Sequence, residues 1–121
     1  CNVGFSFILS ANFHGGALVV NYPFDGNNTG VSVYTACPDD QLFIELCKTS
    51  SSHNLPLWNS PYFPDGITNG ADWYVIYGGM QDWNYAWMGC NEVTIELSDN
   101  KWPNASLLPS LWEENRESML S

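Results

Sequence analysis

The sequence predicts an α/β fold, because strand-like and helix-like segments alternate along the chain. Residues 5–13 and 90–98 have the apolar patterns of strands, whereas residues 37–52 and 109–120 have the start signals and spacing of helices. With 121 residues, the chain is long enough to bury one hydrophobic core and little more, so we expect a single domain.

The first predicted strand, residues 5–13, ends at a histidine beside two glycines. Its run of apolar residues predicts a strand buried on both faces. His14 follows it, and Gly15 and Gly16 allow a ligand to approach the backbone closely. Neutral imidazole is the commonest metal ligand in proteins, so His14 is a candidate metal ligand at the rim of the sheet. A purely structural histidine is the alternative that this observation leaves open.

Two helices are predicted after a turn-rich stretch at residues 22–30. The first begins within residues 37–40, where a proline suits the first helical position and two aspartates complement the helix dipole. It ends at residues 50–52, and the second helix closes the chain at residues 109–120. The expected core contacts of the two helices are Leu42, Phe43, Leu46, Leu111, Met119 and Leu120.

Residues 53–72 are predicted to form a long loop, because three prolines and two glycines interrupt them. Loops of this length in a compact domain are usually functional or disordered. Residues 72–85 then combine many aromatic side chains with polar ones, and we interpret them as the wall of a site. The alternative is that this segment packs onto the core, which is favoured for most of its aromatic residues.

The clearest strand covers residues 90–98. Val93, Ile95 and Leu97 form an apolar face, and Glu96 lies on the opposite face between two hydroxyl side chains. A carboxylate in the middle of a strand is usually solvated. If both faces of the sheet are covered, Glu96 becomes a candidate functional residue.

The charge balance restricts the class of partner. The net charge is −10, and only Lys48, Lys101 and Arg116 are positive. We therefore expect no nucleic-acid partner, because phosphates need a basic face. An acidic field steers cationic ligands, although the charge can equally serve solubility alone. No apolar run approaches the roughly 18 residues of a membrane span, so none is predicted in this chain.

Two glycosylation sequons, at Asn27 and Asn104, favour a secreted glycoprotein in the secretory pathway or outside the cell. Four cysteines are compatible with disulfides, could pair in three ways and contain no Cys-x-x-Cys motif; they are Cys1, Cys37, Cys47 and Cys90. The chain begins without Met or a visible leader, so we expect a processed product or part of a longer protein.

A series of short motifs runs in order over nearly the whole chain. They are Asn12-Phe-His-Gly-Gly16, Asn21-Tyr-Pro-Phe-Asp25, Pro38-Asp39-Asp40, Gly66-Ile-Thr-Asn-Gly70, Trp73-Tyr74, Gly78-Gly-Met-Gln-Asp82, Asn84-Tyr85 and Thr94-Ile-Glu-Leu97. Together they resemble the zinc metallocarboxypeptidases of the carboxypeptidase N/E branch, which includes carboxypeptidase D. Residues 37–40 and 98–106 are most similar to plant carboxypeptidase D-like enzymes. The resemblance implies a mixed sheet with helices packed on it.

The resemblance also implies roles for five residues. His14 matches a zinc ligand, and Glu96 matches the general base and acid that works on the zinc-bound water. Tyr74 matches the tyrosine that closes over the C-terminus of the peptide. Asp25 matches the floor of the pocket for a C-terminal Arg or Lys, with Gln81 beside it. A buried carboxylate there would need a cationic partner to offset its desolvation, which such a substrate supplies.

Two parts of the implied site lie outside the matched motifs. The family also uses a His-x-x-Glu pair and an Arg pair that grips the substrate carboxylate. In this chain the second histidine is His53, which is followed by Asn54, and the only arginine is Arg116 in the closing helix. We therefore expect residues 1–121 to be the C-terminal portion of one catalytic domain, and to be inactive without the N-terminal portion.

The implied function is that of a hydrolase: one Zn²⁺ ion supports removal of C-terminal Arg or Lys from peptides and proteins. The alternative is a non-catalytic binding module with the same fold, because this branch includes members that have lost activity. An acidic domain with no enzymatic history is a third possibility, which the ordered motifs disfavour.

Overall fold

Four strands form one mixed sheet in the computed structural model, which describes residues 6–121. The strands are β1 (Leu9–His14), β2 (Ala17–Tyr22), β3 (Ile67–Asn69) and β4 (Asn91–Ser98). Their order across the sheet is β1-β4-β2-β3, with β4 parallel to β1 and antiparallel to β2, and β2 parallel to β3. Helices pack on this sheet, so the predicted α/β class is confirmed.

Five α-helices accompany the sheet within residues 6–121. They are α1 (Asp40–Ser52), α2 (Leu55–Trp58), α3 (Gly70–Trp73), α4 (Met80–Met88) and α5 (Leu108–Leu120), with short 3₁₀ helices at Pro64–Gly66 and Ala105–Leu107. The helix predicted to end at residues 50–52 does so, and the predicted closing helix begins one residue earlier than expected. Among the described residues, no helix is both long and apolar enough to cross a membrane.

The core lies between α1 and one face of the sheet. Phe43 and Cys47 of α1 are fully buried against Val20, Val93 and Ile95. Their spacing of four residues places them on one face of the helix. Leu46 packs beside them, but Leu42 is exposed, so its predicted core contact is wrong: it lies outside the face that α1 turns to the sheet.

The closing helix α5 docks through polar contacts rather than the expected apolar ones. Asn54 Nδ2 donates to the buried Asn115 Oδ1 at 2.8 Å, and the Ser50 and Ser118 hydroxyls lie 2.8 Å apart. Leu111 is half-buried. The predicted core contacts of Met119 and Leu120 are wrong, because both side chains are exposed. The face of α5 that docks carries Asn115 and Ser118 instead.

The prediction of a first strand buried on both faces is wrong. Residues 1–5 lie outside the described part of the chain, and β1 begins at Leu9 instead. Leu9 and Phe13 are about half exposed. Within residues 6–121, β1 is an edge strand that pairs only with β4, and strands are buried on both faces only when other elements cover them.

Residues 53–72 are not a single loop, contrary to the prediction. They contain α2, a 3₁₀ helix, β3 and the start of α3. Pro56 and Pro64 lie in the first turns of helices, where a proline costs no hydrogen bond. The three-residue strand β3 is too short to show a periodic pattern, and its pairing with β2 depends on contacts distant in sequence.

Both faces of β4 are buried. Val93 and Ile95 face the core, while Thr94 and Glu96 on the other face are only 8% and 7% exposed. The helix α4 covers that second face, since Thr94 Oγ1 donates to Gln81 Oε1 at 2.9 Å. The condition that makes Glu96 a functional candidate is therefore met.

Candidate active site

One cleft of about 290 Å³ lies at the ends of β1 and β4, with α4 as one wall. Its lining residues are Asn12, His14, Asn21, Asp25, Tyr74, Ile76, Gly79, Met80, Gln81, Thr94 and Glu96. All five residues to which the resemblance assigned roles are in this group. Sequence reasoning missed Asn21 and Thr94. The signals for them were the motif that ends at Asp25 and the polar face of the clearest strand.

The strand pairing places His14 beside Glu96. The two are Cα partners in the parallel β1–β4 ladder, and His14 Nδ1 lies 3.7 Å from Glu96 Oε1. The side chains differ in exposure, since that of His14 is 58% exposed and that of Glu96 is 9% exposed. The imidazole can therefore bind an ion or ligand in the cleft, with a nearly buried carboxylate next to it.

Glu96 has an unsatisfied oxygen in this arrangement. Within residues 6–121, Glu96 Oε2 is buried and has no hydrogen-bond partner. Burial raises the pKa of this carboxyl group, and the charges of His14 and Lys101 partly offset the rise. A carboxyl group whose pKa moves towards neutrality can both accept and return a proton.

The described residues fit zinc in part. A catalytic zinc site uses three protein ligands and leaves one position open. His14 offers one imidazole. The Glu96 oxygen that lacks a partner could accept a hydrogen bond from a polar group bound beside that imidazole. Within residues 6–121, however, no group of three or more His, Cys, Asp or Glu side chains could hold a metal ion.

A second part of the cleft is built around Asp25, which is 5% exposed. Gln81 Nε2 donates to Asp25 Oδ1 at 3.1 Å and to Asn21 Oδ1 at 3.0 Å. Because an ionised carboxylate can only accept, the NH₂ group of Gln81 faces Asp25, and Thr94 Oγ1 donates to the oxygen at the other end of the amide. These contacts hold Asp25 in one orientation at the inner end of the cleft.

The environment of Asp25 is electronegative. Burial and, to a smaller extent, the charge of Asp82 raise the pKa of Asp25 to about 6, against a lowering by its hydrogen bond with Asn21. Asp82 itself is held by the backbone N–H groups of Asp25 and Gly26, both at 2.9 Å. In the described part of the chain, no Lys or Arg forms a salt bridge with Asp25. A cationic ligand would supply the missing partner.

Tyr74 lies at the mouth of the cleft, immediately after α3. Its side chain is 45% exposed and packs edge-on against Trp73, with ring centroids 4.7 Å apart. Partial burial and then the charges of Glu96 and Asp25 raise the pKa of its phenol group, so the hydroxyl stays protonated and can donate a hydrogen bond.

The second histidine and the arginine do not belong to this cleft. His53 caps the end of α1, with Nδ1 2.8 Å from the Thr49 carbonyl oxygen. Arg116 pairs with Glu113 and Glu117 on the surface of α5. The sequence motifs gave neither residue a role in the site.

Gly70 makes room for the carboxylate of Asp25, which yields a first prediction. A Cβ atom at residue 70 would overlap Asp25 Oδ1 and lie 2.9 Å from Asn21 Oδ1. We expect Gly70→Ala to lower the free energy of unfolding by about 1–3 kcal/mol, as overpacking of a filled site does. The measurement is urea unfolding of the wild-type and variant proteins.

Gly79→Ala is the matched control for that change. A Cβ atom at residue 79 would lie 3.6 Å from Asp25 Oδ2, an ordinary contact in the same cleft. We expect this variant to unfold within about 0.5 kcal/mol of wild type, the usual range for a substitution that disturbs no packed feature. Equal losses for the two variants would contradict the specific clash at Gly70.

A sequence profile of the peptidase M14 family, described as zinc carboxypeptidase, matches residues 4–118. The chain belongs to the zinc carboxypeptidase family. It is 54% identical over 115 residues to Carboxypeptidase SOL1 of Arabidopsis thaliana, and the matched region covers 95% of this chain and 23% of that protein. It is 51% identical over 125 residues to Carboxypeptidase D of Anas platyrhynchos, and the matched region covers 96% of this chain and 9% of that protein.

A third relative is the Carboxypeptidase N catalytic chain of Homo sapiens, which is 48% identical over 126 residues, or 96% of this chain and 28% of that protein. This zinc carboxypeptidase chain therefore spans only about a tenth to a quarter of the length of these relatives. The predicted family is confirmed, and the family implies Zn²⁺ and a hydrolase.

Proposed function

We propose that these residues act within a longer zinc carboxypeptidase that removes C-terminal Arg and Lys from peptides and proteins. The observation that carries the proposal is the buried carboxylate of Asp25, which lies without a cationic partner among the described residues, in the same cleft as His14 and Glu96. A C-terminal Arg or Lys side chain would supply that cation at one end of the cleft, and its scissile bond would lie towards the other.

Each residue of the cleft then has a chemical role. When bound, zinc lowers the pKa of a water molecule towards ~7 and so supplies a nucleophile at neutral pH. His14 would be one of its ligands. Glu96 would take up the proton of the nucleophile and deliver it to the amine that leaves. Tyr74 would donate a hydrogen bond to the substrate from the mouth of the cleft, and Asp25 would pair with the basic side chain.

We further propose that residues 1–121 are the C-terminal portion of one catalytic domain. The remaining zinc ligands and the arginines that hold the substrate carboxylate would come from the N-terminal portion. The exposed apolar residues of the β1 edge support this arrangement, because such an edge needs cover to avoid aggregation.

The proposed location, in the secretory pathway or outside the cell, rests on the sequons. The side chain of Asn104 is exposed, whereas Asn27 Nδ2 donates to the Val31 carbonyl oxygen at 2.9 Å. Asn104 is therefore the more accessible of the two acceptors. The expected disulfides are not found among the described cysteines: Cys37, Cys47 and Cys90 are buried free thiols, and Cys1 lies outside the described residues.

The test of the function is turnover by the longer protein. Matched peptides that end in Arg, Lys and Leu should be assayed with and without a zinc chelator. We expect release of Arg and Lys, much less release of Leu, and loss of all three with the chelator. Zinc-independent binding of the peptides without turnover would contradict the proposal and favour the binding module.

Residues 1–121 expressed alone should neither hold zinc stoichiometrically nor cleave a peptide that ends in Arg. One imidazole is a weak zinc site, because catalytic zinc is normally held by three protein ligands. Elemental analysis of the purified chain and an assay with added zinc measure the two properties. Stoichiometric zinc with steady release of Arg would show that a complete site exists within these residues and that the assigned roles are wrong.

A further inference from the structure

A second buried carboxylate, Glu92, lies on the same face of β4 as Glu96, and the proposed chemistry does not use it. It is 2% exposed. Glu92 Oε2 accepts hydrogen bonds from Ser10 Oγ at 2.6 Å and from Asn84 Nδ2, while Glu92 Oε1 accepts from Asn12 Nδ2 at 3.0 Å. Within residues 6–121, Glu92 forms no salt bridge with Lys or Arg.

The donors to Glu92 come from the two elements that hold opposite parts of the cleft. Ser10 and Asn12 are on β1, where alternate residues share a face, so they are in line with His14. Asn84 is on α4, three residues after Gln81 and therefore on the same side of the helix. Glu92 thus ties the strand that carries His14 to the helix whose Gln81 orients Asp25.

Only a carboxylate meets all three contacts, because it accepts at both oxygens and donates at neither. A glutamine at residue 92 would place an NH₂ group against at least one of the asparagine amides. That amide would have to turn around or move away. Either change would loosen the attachment of α4 or β1 to β4, the strand that carries Glu92.

We propose that Glu92 is a positioning residue, which sets the distance between the Asp25–Gln81 pocket and the His14–Glu96 pair by holding Asn84 and Asn12. This inference rests on the proposed function. We expect Glu92 to affect the binding of the basic side chain. Glu92 holds Asn84, and Asn84 lies on the same side of α4 as Gln81, which orients Asp25. The backbone ladder between β1 and β4 holds His14 beside Glu96 independently of Glu92.

The test compares Glu92→Gln with wild type in the longer protein. We expect the KM for a peptide that ends in Arg to rise at least tenfold, with kcat within threefold and zinc content unchanged. The Kd for free arginine, measured by calorimetry, should rise by a similar factor. The kinetic constants for a peptide that ends in Leu should change much less, because Leu does not use Asp25.

A double variant separates positioning from simple loss of stability. In Glu92→Gln with Asn84→Asp, the carboxylate sits at the other end of the same hydrogen bond and accepts from the new amide. We expect this pair to recover most of the affinity for arginine. Glu113→Gln on the exposed surface of α5 controls for the loss of one negative charge and should leave KM unchanged.

Several outcomes decide the matter. A lower unfolding temperature for Glu92→Gln with an unchanged KM for Arg, or an equal loss for Arg and Leu peptides, would overturn the positioning role. If Glu92→Gln does not fold, Asn84→Ala serves instead and should raise the same KM. Failure of the wild-type protein to cleave any of the peptides would overturn the proposed function itself, which is a different result.

Discussion

Glu96→Gln in the complete enzyme is expected to lower kcat by at least ~10²-fold, the low end of the contribution of a general acid–base group. Gln has the same shape but cannot accept and return a proton. The geometry supports a chemical role, because Glu96 lies beside His14, is nearly buried, and keeps one oxygen without a partner among the described residues. Glu92, which the proposed chemistry does not use, has hydrogen-bond donors on both oxygens, so the unpaired oxygen of Glu96 sets the two carboxylates apart.

Zinc content separates the possible outcomes of this substitution. If Glu96 is the base, the variant retains zinc and binds a peptide with near-normal affinity while turnover falls. Loss of zinc would mean that Glu96 is a ligand rather than a base. Near-normal turnover would reduce it to an ordinary strand residue. Glu113→Gln, at an exposed position of α5, is the control for the same chemical change and should leave kcat unaltered.

Local patterns in the sequence were enough to predict the elements with a strong period. The alternation at residues 90–98 predicted β4 almost residue for residue, and the start signals predicted that α1 and α5 exist. The expected position of Pro38 was wrong, because α1 begins at Asp40 and Pro38 precedes it. The same reasoning failed for α5 packing, because Asn115 and Ser118 dock through hydrogen bonds to residues more than 60 positions away. Hydrophobic spacing carries no information about such contacts.

The candidate site was predictable only in part for the same reason. The resemblance named the residues, but nothing in their spacing brings Asp25 to Gln81, which is 56 positions further along the chain. That contact depends on α4 crossing β4, and on the absence of a side chain at Gly70. The anchoring of α4 by Glu92 had no signal beyond a polar residue on the alternating strand. The fold is needed to see it.

Asp25→Asn should change specificity more than any other property of the enzyme. The lost charge pair with a C-terminal Arg or Lys would cost roughly 2–5 kcal/mol, the typical cost of truncating one partner of a buried pair. We therefore expect kcat/KM for such peptides to fall at least ~30-fold, since each 1.36 kcal/mol is a factor of ten. Zinc content and kcat/KM for a peptide that ends in Leu should change little, and equal losses on both peptides would contradict the assignment.

The same substitution should also make the substrate-free protein more stable at neutral pH. Burial and the charge of Asp82 raise the pKa of Asp25 to about 6 in the folded state, above its ordinary value of 3.8. A raised pKa means that the folded state binds the proton more tightly, so the contribution of Asp25 to the free energy of unfolding is highest below pH ~4 and falls as the pH rises through 6. The amide introduced by Asp25→Asn carries no charge, so the variant should lack this decline.

Urea unfolding of both proteins between pH 4 and 7.5 measures the difference, which should grow in favour of the variant as the pH rises. A constant difference over that range would mean that Asp25 is already paired with a cation in the free enzyme, and that its place in the pocket is structural rather than reserved for the substrate.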